Sequence, residues 1–221
     1  MEHVFDNSWF QGSLLDLAEW DSSDGLRPLR GATERHDLGD GAWIDLRRGW
    51  VTGSDDLFTR LMENVPWQAE RRVMYERVVD VPRLLCFYGE GEALPDEGLV
   101  AAHAALNTHY ATELGEPFTT AGLCLYRDGR DSVAWHGDRF GRGATEDTMV
   151  AILSLGTPRM LALRPRGGGD HGAATLRYEV GHGDLLVMGG SCQRTWEHAV
   201  PKSSRVVGPR ISVQFRTRGV R

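Results

Sequence analysis

His136, Asp138 and His198 are the residues whose types and spacing can do chemistry. Side chains alternate along an extended strand, so His136 and Asp138 project from one face roughly 6.6 Å apart along the backbone. Two ligands on one strand need a third from elsewhere. His198 lies in a short apolar run, Thr195 to Pro201, which becomes a neighbouring strand if the sheet folds back on itself. Two imidazoles and one carboxylate in a facial arrangement leave open positions on a divalent iron, the arrangement used in non-haem Fe(II) oxygen chemistry. A His-x-Asp also arises by chance, so its meaning depends on its company.

That company includes Arg210, Ser212, Gln214 and Arg216, which alternate with Ile211, Val213 and Phe215. One face of this strand is wholly polar and the other wholly apolar. The two Arg, about 20 Å of backbone apart, can lean together and clamp a short dicarboxylate between their guanidinium groups. An ordinary exposed edge strand has the same pattern.

From Gly122 onward the chain reads as short strands separated by Gly-, Pro- and Arg-rich turns. They fall at 122–127, 132–137, 147–155, 159–165, 174–180, 184–189, 195–200 and 209–217. Closely spaced strands of this length predict a sandwich, barrel or jelly roll rather than a parallel α/β sheet. Before them, Ala42 to Leu46 alternates like a strand. Ser54, with Asp55 and Asp56, opens a helix whose apolar set is Leu57, Phe58, Leu61, Met62 and Val65. A second helix begins near Pro95, with Leu99, Ala102, Leu106 and Tyr110 spaced for one buried face. Residues 1–40 read as a peripheral arm, and 41–221 as a single domain.

The 221 residues carry a net charge of −6. Residues 1–121 sum to −12 and residues 122–221 to +6, so the metal motif sits in the basic half. All basic residues but Lys202 are Arg, the side chain suited to bidentate contact with phosphate or carboxylate. A basic face permits a nucleic-acid partner without demanding one. No run approaches a membrane span, and the N-terminus lacks a secretory signal. Cys86, Cys124 and Cys192 are odd in number and suit a reducing compartment. The expectation is a cytoplasmic monomer with no membrane partner.

Tyr126 to Asp138, Gly183 to Gly190, Trp196 to Pro201 and Arg210 to Arg216 together resemble the AlkB family of Fe(II)- and 2-oxoglutarate-dependent dioxygenases. The resemblance covers roughly residues 65–218, including Val81-Pro82-Arg83. It implies a mostly β α+β fold, a double-stranded β-helix or jelly roll braced by N-terminal helices and a short lid within residues 41–121. It implies that His136, Asp138 and His198 hold Fe(II), while Tyr126, Arg210 and Arg216 bind 2-oxoglutarate, with O2 as the second cosubstrate. The implied reaction is oxidative dealkylation of an N-alkylated nucleobase in DNA or RNA, on a single strand or a flipped base, releasing formaldehyde, succinate and CO2.

The chain departs from the family at several positions. Cys124 and Ser212 stand beside the cosubstrate residues where many members have Asn, Arg139 and Phe140 replace acidic residues, and Phe87 to Glu92 is short. Arg139 is a candidate phosphate contact. Two other readings stay open: the same oxygenase chemistry on a protein, modified RNA or small molecule, and a non-catalytic β-helix binding module. Trp135 and Trp196 are expected to pack in the core. His103, His109, His171 and His182 are expected to meet solvent, and Cys192 to be a small packed residue.

Overall fold

A computed structural model describes residues 25–220 apart from 75–76, 114, 139–140 and 168–173. Its frame is two facing antiparallel sheets. The larger contains β1 (Glu34–Gly39), β2 (Ala42–Arg47), β3 (Gln68–Met74), β4 (Arg77–Tyr88), β5 (Phe118–Tyr126), β7 (Val150–Gly156), β10 (Asp184–Gly190) and β12 (Arg210–Thr217). Their order is β1-β2-β10-β7-β12-β5-β4-β3. The smaller runs β6-β11-β8-β9, from β6 (Val133–His136), β11 (Trp196–Val200), β8 (Arg159–Pro165) and β9 (Leu176–Val180). All eight strands expected from Gly122 onward are present, in the jelly-roll class that the sequence predicts.

Strand periodicity divides the core in two. Ile211, Val213 and Phe215 of β12, with Leu123 and Leu125 of β5 and Leu153 and Leu155 of β7, face one apolar layer. Helices α1 (Ser54–Asn64) and α2 (Glu97–His109) cover that layer. Leu57 and Leu61 bury the inner face of α1, and Leu99, Ala102 and Leu106 that of α2, with Tyr110 just beyond it. Each such Leu contributes about 1.5–3 kcal/mol of transfer free energy, which helices this short could not supply in isolation. The opposite sheet face, carrying Cys124, Tyr126 and Ile152, packs against Leu161 and Leu163 of the smaller sheet. The candidate site residues of β5 and β12 lie between the sheets because they share this parity.

The structure adds local detail and changes some expectations. The cap of α1 is Gly53, in the left-handed region at φ 61°, with no side-chain cap; Ser54 is the first helical residue. Asp96 caps α2 by accepting a hydrogen bond from the Gly98 amide at 2.8 Å. Within the expected N-terminal arm, residues 34–39 form the edge strand β1, and residues 1–24 lie outside the described residues. The segment read as helices and a lid also holds β3 and β4, which extend the large sheet beside β5. The Arg and Glu of edge strand β3 and the proline within β4, Pro82, hide the period-two signal.

Candidate metal centre and anion pocket

The site begins with a cross-strand pair. β6 and β11 run antiparallel with His136 directly opposite His198, and the ring centroids stand 4.2 Å apart. Asp138, just past the end of β6, completes a group whose ligand atoms all lie within 4.8 Å of one another. Nδ1 of His136 lies 2.9 Å from the Ala134 carbonyl and 3.1 Å from the His198 carbonyl. A carbonyl only accepts, so Nδ1 carries the proton and Nε2 keeps the lone pair.

The electrostatics favour the ligand forms. Burial, reinforced by His136, pushes the His198 imidazole down to about 3, so it is neutral at pH 7. Burial alone would raise Asp138, but Arg216, His198 and His136 together outweigh it and hold the carboxyl at about 2. The Asp138 amide donates to Gln193 Oε1 at 3.0 Å. Arg159 is buried and ties the surrounding loops together. It donates to the Asp128 and Asp131 carbonyls ahead of β6 and to the Pro201 carbonyl after β11.

A cavity of about 70 Å³ joins this group to Tyr126, Cys124, Arg210, Ser212 and Arg216. Tyr126 and Arg210 are opposite one another across β5 and β12, as are Cys124 and Ser212. Arg210 is 3% exposed, its guanidinium 5.2 Å from the Tyr126 ring, and its Nε donates to Ser154 Oγ at 2.9 Å. Its Nη1 is buried without a partner. No carboxylate pairs with it among the described residues, and burial pushes the guanidinium down. Burial likewise pushes the Tyr126 phenol up to about 12, so it is a neutral donor. A buried cation lacking its anion, beside a His-Asp-His group, fits a small carboxylate ligand near a divalent metal.

The expected two-Arg clamp is not what these residues form. Arg216 turns its Nε onto Asp138 Oδ2 at 2.8 Å, leaving Arg210 as the cation with open donors. An acidic partner within reach across the sheets captures the guanidinium before two like charges can be drawn together. The two other expected cavity residues partner locally. Ser212 Oγ accepts from Gln214 Nε2 at 2.6 Å, and Cys124 Sγ lies 3.5 Å from Gln214 Oε1. Arg139 lies outside the described residues.

Several participants carried no local signal. Ser154 and Gln193 reach the site through register and a turn. Arg83, which accompanied the family motifs without an assigned role, lines the cavity and its mouth of about 750 Å³, which also takes in His136, Asp138 and Arg216. Trp135 is half-buried on edge strand β6 with Arg164 4.3 Å from its ring, and it borders the mouth rather than packing in the core. Trp196 packs against the inter-sheet core. His103 and His182 are half-buried and partnered rather than open to solvent: His103 Nε2 meets the Phe118 carbonyl, and His182 Nδ1 accepts from the Gly156 amide. Burial also drives His109 down. His171 lies outside the described residues. Burial pushes the Cys192 thiol up to about 12, as a packed residue requires.

Residues 88–216 match the 2OG-Fe(II) oxygenase superfamily, and the chain belongs to it. Proteins named as AlkB homologues are among those the chain resembles. It is 31% identical over 190 residues to the alpha-ketoglutarate-dependent dioxygenase alkB homolog 3 of Bos taurus, covering 79% of this chain and 63% of that one. It is 27% identical over 219 residues to the DNA oxidative demethylase ALKBH2 of Arabidopsis thaliana, covering 81% and 68%. The chain thus spans under two thirds of the length of its alkB homolog 3 relatives. The solved structure of OsALKBH1 shares the fold, with a TM-score of 0.56 at 14% identity over 82% of this chain and 100% of that one.

Proposed function

We propose that this chain is an Fe(II)- and 2-oxoglutarate-dependent dioxygenase that removes alkyl groups from nucleobases of DNA or RNA. The observation that carries the reading is the buried, anion-free guanidinium of Arg210 beside the His136, Asp138 and His198 group. These three residues would hold the metal, and Arg210, with Tyr126 next to it, would take the far carboxylate of 2-oxoglutarate. The bound metal supplies oxidation of the N-alkyl carbon with O2, coupled to decarboxylation of 2-oxoglutarate to succinate and CO2; a methyl group leaves as formaldehyde.

The chain's own residues prepare that chemistry. The two carbonyls at His136 Nδ1 orient the ring, and Arg216 holds one Asp138 oxygen so that the other faces His136 Nε2, 3.9 Å away. Val133, Ile152, Leu161 and Val200 line the cavity with apolar surface that excludes water. Arg83 and Lys202 line the mouth, where a phosphate backbone would pass. The relatives named as DNA oxidative demethylase support a nucleic-acid substrate. The base is reached single-stranded or flipped, since a stacked base cannot enter. Three free cysteines accord with a reducing compartment such as the cytoplasm, where the chain would work as a monomer.

The test is anaerobic loading with Fe(II) and 2-oxoglutarate, then oxygen and N-methylated oligonucleotide. Succinate and formaldehyde in equal amounts are expected, and neither product would overturn the reading. Parallel reactions on single-stranded DNA, duplex DNA, RNA and peptides separate nucleobase dealkylation from the same chemistry on another substrate, a reading that Cys124 motivates.

A further inference from the structure

Gly122 sits in the middle of β5, directly opposite Gln214 of β12 on one side and Phe87 of β4 on the other. It has no side chain where its neighbours on this face, Cys124 and Tyr126, carry theirs into the inter-sheet space. A Cβ built there would lie 2.8 Å from Arg216 Nη1 and 3.4 Å from Gln214 Oε1. The first distance is inside van der Waals contact, so the guanidinium occupies the volume that any larger residue would fill. From that seat Arg216 Nε reaches Asp138 Oδ2 at 2.8 Å.

We infer that Gly122 is a positioning residue for the metal centre: its missing side chain seats the Arg216 guanidinium, which ties up Asp138 Oδ2 and leaves Oδ1 as the donor offered toward the metal. This rests on the reading that His136, Asp138 and His198 bind a divalent metal. The physical chain is short. A methyl group at 122 pushes the head group of Arg216, the head group leaves Asp138, and the carboxylate loses the contact that fixes its rotation. Partners one shell out from a metal typically affect affinity 10- to 100-fold for this reason. The collision is with the flexible end of a side chain, not with backbone, so Gly122→Ala is expected to fold.

The test is a double-mutant cycle read as Mn(II) affinity by calorimetry in the absence of cosubstrates and substrate. In the native background, Gly122→Ala should weaken Mn(II) binding by about tenfold. In Arg216→Lys, whose side chain lacks Nη1, the same substitution should change affinity by less than about twofold, because the ammonium needs no room over residue 122. Equal losses in both backgrounds, or no loss in the native one, overturn the inference. If Gly122→Ala does not fold, the Gly122→Ala/Arg216→Lys variant must still show the cooperative unfolding of Arg216→Lys; failure of both overturns it, since the clash would then be with the sheet. Absence of Mn(II) binding in the unsubstituted protein would instead remove the underlying metal reading.

Discussion

His198 stands directly opposite His136 across β11 and β6, and the carbonyl of His198 is one of two that orient the His136 ring. One candidate ligand therefore helps aim the other. Replacing either imidazole removes one donor of three, and His198→Ala also removes the ring packed 4.2 Å from its neighbour. Mn(II) titration should show a loss of at least about 100-fold for both His136→Ala and His198→Ala. Retention of native affinity in either variant would remove that residue from the metal group.

Arg210 gives a prediction of opposite signs. Its guanidinium is buried without an anion, an arrangement that costs stability until a carboxylate arrives. Arg210→Met should raise the melting temperature of the ligand-free protein and abolish the response to 2-oxoglutarate. In the unsubstituted protein, Mn(II)-loaded and at a cosubstrate concentration about 100 times Kd, mass action adds about 2.7 kcal/mol. That corresponds to a rise of roughly 5–10 °C for a chain of this size. Thermal scans with and without 2-oxoglutarate read both effects. A variant that keeps the ligand-induced rise would show that the carboxylate binds elsewhere.

Asp96 supplies a pH dependence away from the site. The Arg60 guanidinium, backed by the Gly98 amide, holds its carboxyl below the ordinary 3.8. A depressed folded pKa means stability that is present above the unfolded value and lost as pH falls through the folded one. Asp96→Ala, which removes the α2 cap, should cost about 1 kcal/mol at pH 7. Urea unfolding at pH 7 and at pH 3 should show the difference shrinking in acid. A constant difference would mean the carboxylate charge contributes nothing.

The helix layer should be felt throughout the sheet it covers. Leu106 is wholly buried on α2 against the apolar face of the large sheet. Leu106→Ala should destabilise by about 2–5 kcal/mol, the range for a buried Leu whose surroundings cannot collapse. Equilibrium denaturation measures it, and a cost under about 1 kcal/mol would indicate a layer looser than the one described.

Much of this molecule follows from local pattern. The alternation of Arg210 to Arg216 placed polar residues on one face of β12 and apolar residues on the other, because a strand's period of two allows nothing else. The four apolar positions of the second helix are legible for the same reason with a period of 3.6. β3 and β4 were not legible, since an edge strand need not alternate strongly and a proline within a run masks a strand.

The sequence by itself singled out the candidate donor set, His136, Asp138 and His198, and the parity that turns Tyr126, Arg210 and Arg216 toward the same interior. Only the tertiary structure decided which charge each Arg answers. Arg210 and Arg216 share a strand face and look equivalent in sequence, yet Arg216 reaches Asp138 across the gap between sheets while Arg210 is left with Ser154 and Tyr126. Ion pairing depends on distances of a few ångströms between residues far apart in the chain, and periodicity holds no record of them. Gly122 shows the same limit, because a missing side chain gains meaning only from the guanidinium that fills its place.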